Sequence, residues 1–338
     1  MTSASEPAHV TATRENGAAT PDSYQRAAII GGGVIGISWA ALFLAHGIDV
    51  VISDPRPDIE ELVLAGLDEI TPTLAELGLP TENLTDGLTF EADLATAVAD
   101  VDIVQENGPE RLELKQRIWQ TIEQAAPTRA LLASSTSGIP ATAIAEAMRQ
   151  PERLIVGHPF NPPHLVPLVE IVPGEKTSEG TIQQARAFYA ALGKEPQVLR
   201  KEIPGFVANR LQSALFRECV HLVAQGVVTE QELDDIVTAS IGLRWAVAGP
   251  FRTFHLGGGP GGLPHFIEHL GRAMESDMWP ALGNPTFDDA TVALLAGQAR
   301  EAFGEGTVDE LAAERDRAQI ALMRALGGTP DSADTHRA

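Results

Sequence analysis

Residues 26–55 read RAAIIGGGVIGISWAALFLAHGIDVVISDP. Ala27 to Ile30 is a short apolar run with strand character. Gly31, Gly33 and Gly36 follow as G-x-G-x-x-G, with Val34 and Ile35 between the second and third glycines. A helical pattern through Trp39, Leu42, Phe43 and Leu44 ends at His46 and Gly47, which places His46 at a helix cap. Val50 to Ile52 makes a second strand, closed by Asp54, 18 residues after Gly36. Strand, glycine turn, helix, strand and terminal acid together form the βαβ dinucleotide fingerprint. The glycines allow a tight turn and close approach of the backbone to a pyrophosphate, and the helix N-terminus faces the phosphates. A carboxylate at Asp54 suits the ribose hydroxyls and repels a 2′-phosphate, so NAD is favoured over NADP, although Arg56 stands nearby.

Working outward, the pattern of short apolar strands alternating with helices continues to about Ile203. Residues 58–100 read as helical, with breaks near Gly78–Pro80 and Asp86–Gly87. Ile103 to Gln105 is a strand ending in Glu106–Glu110, and a helix follows over Arg111–Ala125. Glu110 and Lys115 sit where a strand end would face the cofactor, or equally at a solvated helix start. Ala130 to Ser137 is an apolar strand opening into Ser134, Ser135, Thr136 and Ser137. Ligands bind at the carboxyl ends of strands in open α/β sheets. These hydroxyls therefore either meet a substrate oxygen or make the turn and cap the next helix.

Residues 153–170, RLIVGHPFNPPHLVPLVE, put His158 directly after the apolar run Leu154–Val156. A second apolar run then delivers Glu170. A histidine at a strand end with a carboxylate returning on the next strand is what a general acid–base pair needs. The carboxylate accepts the inner N–H, fixes the tautomer and favours the charged ring.

Pro204–Gly205 breaks the alternation, and beyond it only helical patterns appear. The glycine-rich stretch from Phe254 to Gly262 is expected to be a loop. His265 and His269 share a helix face with Glu268 between them, but they lack the H-E-x-x-H pattern and a third ligand, so no metal site is expected. Trp245, Phe251, Phe254 and Trp279 read as core or interface, or as walls of a substrate pocket. The polar stretches 1–24 and 327–338 are expected to be tails, with domains over 25–203 and 204–326.

The 338 residues carry a net charge of −22. That argues against nucleic acid and against an anionic membrane surface as partners. No apolar run approaches the ~18 residues of a membrane span, and the N-terminus lacks the basic start and apolar centre of a signal peptide. A single cysteine, Cys219, excludes an internal disulfide and suits a cytoplasmic setting.

The motifs GGGVIG, SSTSG, GHPFNPPHLVPLVE and IPGFVANR, in this order and spacing, resemble the 3-hydroxyacyl-CoA dehydrogenase superfamily. ERLELK and GLRWAVAGP look most like the branch that holds lambda-crystallin, L-gulonate 3-dehydrogenase and L-carnitine dehydrogenase, with polyketide ketoreductases nearby. The resemblance implies an α/β fold: an N-terminal Rossmann-like dinucleotide-binding domain followed by an all-helical C-terminal domain that forms a homodimer. It implies NAD as cofactor, and hydride transfer between a 3-hydroxy compound and its 3-keto form. His158 matches the catalytic histidine, Glu170 its partner, and Ser137 the serine on the substrate oxygen. Asn209 matches an asparagine that the helical domain contributes. Gly31, Gly33, Val34, Ile35, Gly36, Asp54, Glu110 and Lys115 match cofactor-side positions.

One departure bears on the substrate. Family members that bind CoA hold its phosphates with basic residues in the first helical segments after the second strand. Here no lysine or arginine occurs between Arg56 and Arg111. The expectation is a small-molecule substrate that is not a CoA thioester: a carnitine-type molecule, which wants aromatic faces and negative charge around its cation, or a polyketide β-keto acid. A CoA thioester is the alternative within the class, and a catalytically silent NAD-binding protein the alternative outside it.

Overall fold

The computed structural model describes residues 24–304 and 306–327. The expected tails lie outside these residues, apart from Tyr24 and Gly327. Tyr24 is not tail-like; it is buried and packs on Phe188 with ring centroids 4.7 Å apart. The chain divides into two compact units that part between Pro204 and Gly205.

The first unit is built on one eight-stranded sheet. In chain order its elements are β1 (Arg26–Ile30), α1 (Val34–Ala45), β2 (Asp49–Ser53), α2 (Ile59–Glu76), β3 (Leu88–Phe90), α3 (Leu94–Ala97) and β4 (Ile103–Glu106). They continue as α4 (Leu112–Ala125), β5 (Leu131–Ser134), α5 (Ala141–Ala145), β6 (Leu154–Pro159), β7 (Leu168–Pro173), α6 (Glu179–Ala191) and β8 (Glu195–Val198). The strand order is β3-β2-β1-β4-β5-β6-β7-β8. All neighbours pair in parallel except β6 and β7, which are antiparallel.

Central strands covered on both faces need apolar side chains on both, hence Ala27–Ile30 of β1 and Leu131–Ala133 of β5, while β4 goes from Ile103 and Val104 to the buried polar pair Gln105 and Glu106. Separate buried clusters lie on the two faces. Trp39, Phe43, Phe188 and Tyr189 mark one, and Trp119, Ile122 and Leu132 the other. α1 is apolar nearly all round because it is core on nearly all sides. It stops at His46, whose Nδ1 lies 2.8 Å from Leu42 O, and at Gly47 with φ +74°. α2 buries only Ile59, Val63, Leu67 and Leu74, one stripe of a helix whose other face is wet.

β3 departs from the expectation of helix between 58 and 100. Three residues are too few to show a period, yet Leu88, Thr89 and Phe90 pair in register with Val50, Val51 and Ile52. The partner strand, distant in sequence, decides it.

The second unit contains α7 (Ala208–Ala224), α8 (Glu230–Val237), α9 (Leu243–Val247), α10 (Pro250–Gly257), α11 (Gly262–Phe266), α12 (Asp289–Phe303) and α13 (Val308–Ala325), and no strand among the described residues. Thr229, Asp288 and Thr307 cap α8, α12 and α13 by accepting backbone N–H bonds. The loop expected from Phe254 is corrected. α10 starts at Pro250, a favoured first-turn position, and runs through Gly257; unusual backbone angles appear only at Gly259 (φ +59°) and Gly262 (φ +60°). The rings of His265 and His269 lie 4.1 Å apart. No helix among the described residues is long and apolar enough to cross a membrane.

Candidate active site

The site begins with β6. Val156 is core, and at Gly157 a Cβ would fall on the hydroxyl of Tyr189, so only glycine lets the strand pass. His158 follows at the strand's carboxyl end. The antiparallel register sets it directly opposite Glu170 on β7. His158 Nδ1 lies 2.9 Å from Glu170 Oε2, and both side chains are almost wholly buried, at 6% and 2% exposure. The expected pair therefore exists, and strand pairing makes it. Phe160 packs edge-on against the imidazole at 5.6 Å. The loop that joins β6 and β7 contains a cis peptide at Asn161–Pro162.

At the end of β5 the four hydroxyls divide. Ser134 donates to Glu106 Oε2 at 2.6 Å. Ser135 donates to Asn107 Oδ1 and accepts from Gln105 Nε2 and Trp39 Nε1. Thr136 donates to Glu110 Oε1. Ser137 is exposed, and its hydroxyl has no partner among the described residues. Three of the four serve the fold; one is left for something outside it.

Glu110 organises that turn. Besides Thr136, just before Ser137, it accepts from the backbone N–H groups just after that serine, of Gly138 at 3.0 Å and of Ile139 at 3.3 Å. Burial alone would raise its carboxyl, but the Thr136 hydroxyl, the Lys115 ammonium and these two amides outweigh it and hold it below the usual carboxylate range. Lys115 lies beneath, 1% exposed, donating to Glu106 Oε1 at 2.7 Å and Gly108 O at 3.1 Å, with Glu110 at 3.6 Å. Glu106 is itself fully buried and also accepts from Gly108 N.

The glycine turn fits a dinucleotide. Gly31 has φ +93°, and a Cβ there would press on Asn107 O; a Cβ at Gly36 would fall on Gly31 O. Gly33 has nothing within 4 Å of that position, so its lack of a side chain serves approach from outside. Gly33 also begins α1 with no side-chain cap, and no acid occupies the first turn, which leaves the N-terminal amides and helix dipole for an anion. Val34 and Ile35 lie in this first turn. Asp54 accepts from Gly32 N at 2.9 Å, and Arg56 grips both of its oxygens, Nε to Oδ1 and Nη2 to Oδ2, each at 2.9 Å. Burial opposes ionisation of Asp54, but these bonds win and hold the carboxyl low. Asn209 lies in the first turn of α7 in the second unit.

Sequence reasoning did not single out Glu106, Gln105, Tyr189, Ser38, His164 or Lys194. Gln105 Oε1 accepts from Tyr189 at 2.7 Å, and Ser38 Oγ lies 2.8 Å from both His164 Nδ1 and its backbone N. Glu106 had a legible signal: an acid ending an apolar strand, with a lysine nine residues on. The others depend on partners 84 or 126 residues away or, for Lys194, 28 and 31 residues away.

Two family models match the chain: 3-hydroxyacyl-CoA dehydrogenase, NAD binding domain, over residues 26–203, and its C-terminal domain over 205–285. An L-carnitine dehydrogenase of Streptomyces griseus is 44% identical over 314 residues, covering 93% of each chain. That of Pseudomonas putida is 41% identical over 299 residues, 88% of this chain and 93% of the relative. Among solved structures, 5-formyl-3-hydroxy-2-methylpyridine 4-carboxylic acid 5-dehydrogenase, an NAD+-dependent dismutase, is 32% identical with a TM-score of 0.76, covering 90% of this chain and 99% of the other.

Proposed function

Because the chain belongs to the 3-hydroxyacyl-CoA dehydrogenase family, NAD-dependent oxidoreductases that interconvert 3-hydroxy compounds and their 3-keto forms, we propose that it oxidises L-carnitine or a close analogue. The substrate class is a short 3-hydroxy acid with a fixed cation and no CoA. The buried His158–Glu170 pair is the observation that carries the reaction. Two findings support the substrate: relatives named L-carnitine dehydrogenase at 41–44% identity over most of their length, and the stretch from residue 57 to 110 without a lysine or arginine. Acidic, cation-free surface suits a trimethylammonium group and opposes a 3′-phospho-ADP moiety.

Bound NAD supplies the hydride acceptor. The chain's residues handle the proton and the oxygen. Glu170 holds Nδ1–H, so Nε2 is the nitrogen that takes the 3-hydroxyl proton, and the carboxylate favours the resulting imidazolium. Ser137 donates to the same oxygen as its carbonyl forms, a fixed dipole aimed at developing charge. Asn209 is assigned to the substrate on the strength of the family resemblance alone. Gly31, Gly33, Val34, Ile35, Gly36 and Asp54 hold the cofactor, with Glu110 and Lys115 bracing its edge. A homodimer through the helical unit and a cytoplasmic setting complete the reading; the exposed aromatics of that unit support the first and the single cysteine the second.

The test is NADH formation with L-carnitine and with L-3-hydroxybutyryl-CoA, side by side. Turnover of L-carnitine with the higher kcat/KM is expected. A clear preference for the thioester would overturn the substrate assignment and leave the reaction type intact.

A further inference from the structure

Lys194, between α6 and β8, is a lysine that ordinary packing would not retain. It is buried at 7% exposure, and no carboxylate among the described residues pairs with it. Burial pushes its ammonium down to about 7. Instead of an anion, Nζ reaches two backbone carbonyls of the β6–β7 loop, Pro163 O and, at 2.7 Å, Val166 O. It also lies 5.7 Å over the ring of Trp39 on α1. The same loop has a second fastening to α1 at Ser38, the residue before Trp39. Ser38 Oγ accepts from the backbone N–H of His164 and shares a second hydrogen bond with its Nδ1, both at 2.8 Å. Between the two fastenings, the N–H groups of Leu165 and Val166 turn back onto Pro162 O at 3.0 Å.

This loop leads from His158 to Glu170, and its first side chain, Phe160, walls the imidazole. α1 is the helix whose N-terminus fits the dinucleotide. We propose that Lys194 is a positioning residue for the reaction: with the Ser38–His164 pair it clamps the β6–β7 loop onto the cofactor helix and so sets the wall of the His158 site. The role rests on the assignment of His158 above. Burying an amine costs desolvation, which the bonds to Pro163 O and Val166 O offset in place of a carboxylate. The cation is therefore kept for where it holds the loop.

In Lys194→Met the Pro163 and Val166 carbonyls lose their donor, so the melting temperature should fall by a few degrees at most, and the NADH Kd should stay within about threefold, because the glycine turn is untouched. Amide exchange at Leu165 and Val166 should quicken about tenfold, and kcat with L-carnitine should fall about tenfold at unchanged KM for NAD, since a small misplacement at a reacting group is costly. Ser38→Ala, a milder cut at the other fastening, should show the same pattern and carries the test if the first variant does not fold. Exchange and kcat both within about twofold of the parent would overturn the clamp. The exchange reading needs no substrate, so it fails or succeeds independently of the L-carnitine assignment.

Discussion

In the first unit Trp39, Trp119, Phe188 and Tyr189 are fully buried; in the second, Phe251, Trp279 and Phe287 stand outward at 76%, 58% and 66% exposure. The first closes its core around a sheet and satisfies polar groups inside it. Glu106 alone accepts from Ser134, Gly108 and Lys115, and Gln105 links Tyr189 to Ser135. In the second, side chains cap α8, α12 and α13, while apolar side chains such as Phe251, Trp279 and Phe287 lack cover among the described residues. Burial of this kind preorganises groups for chemistry, because each rotamer is held by a partner. Exposed aromatics instead mark a surface that another molecule completes. Of the readings open for Trp245, Phe251 and Trp279, namely core, interface or pocket wall, their exposure removes only the first.

The contrast can be broken most sharply at His158. His158→Ala should lower kcat by ~10²–10⁴, the range of general acid–base catalysis, while NADH fluorescence titration shows binding near the parent's. Activity within a few fold would remove the first unit's claim to the chemistry. On the other side, Phe251→Glu with Trp279→Glu should weaken self-association by at least about tenfold in sedimentation equilibrium, leaving the first unit's thermal transition in place. A parent that is monomeric at all concentrations would refute the reading of that surface.

Smaller effects sharpen the account of the first unit. Gly157→Ala forces a methyl onto the Tyr189 hydroxyl, itself held by Gln105. Urea unfolding should register a loss of about 1–3 kcal/mol, the usual cost of overpacking. Thr136→Val removes one donor from Glu110 and should cost at most about 1 kcal/mol at neutral pH, since the carboxylate is part-exposed and screened by water. Its sign with pH is fixed. Glu110 titrates below its ordinary value in the fold. Its stabilisation is therefore present above the usual carboxylate range and lost as pH falls through the lowered value. The variant should differ from the parent at neutral pH and converge on it in acid, which thermal melts across that range would check.

The βαβ fingerprint, the His158–Glu170 pair and the hydroxyl run could be read from sequence because each is a local pattern with a strict period or spacing. His158 and Glu170 even meet through one hairpin register. What could not be read depends on partners far along the chain. β3 exists through β2, and Lys194 acts through a loop 28 to 31 residues earlier. The division of four adjacent hydroxyls followed the same rule. Ser134, Ser135 and Thr136 were claimed by Glu106, Asn107 and Glu110, and no spacing distinguishes Ser137 from them. Charge type did not decide between surface and core. Lys115 could equally begin a solvated helix by pattern, yet it is buried on Glu106.

The most direct test of the central claim is a double-mutant cycle on kcat with His158→Ala, Glu170→Ala and both together. If the two side chains act as one buried unit, removing Glu170 matters only through His158. The double variant should then be no slower than His158→Ala alone, within about threefold. Losses that multiply would mean that Glu170 serves the reaction by another route, and would contradict the account of the pair.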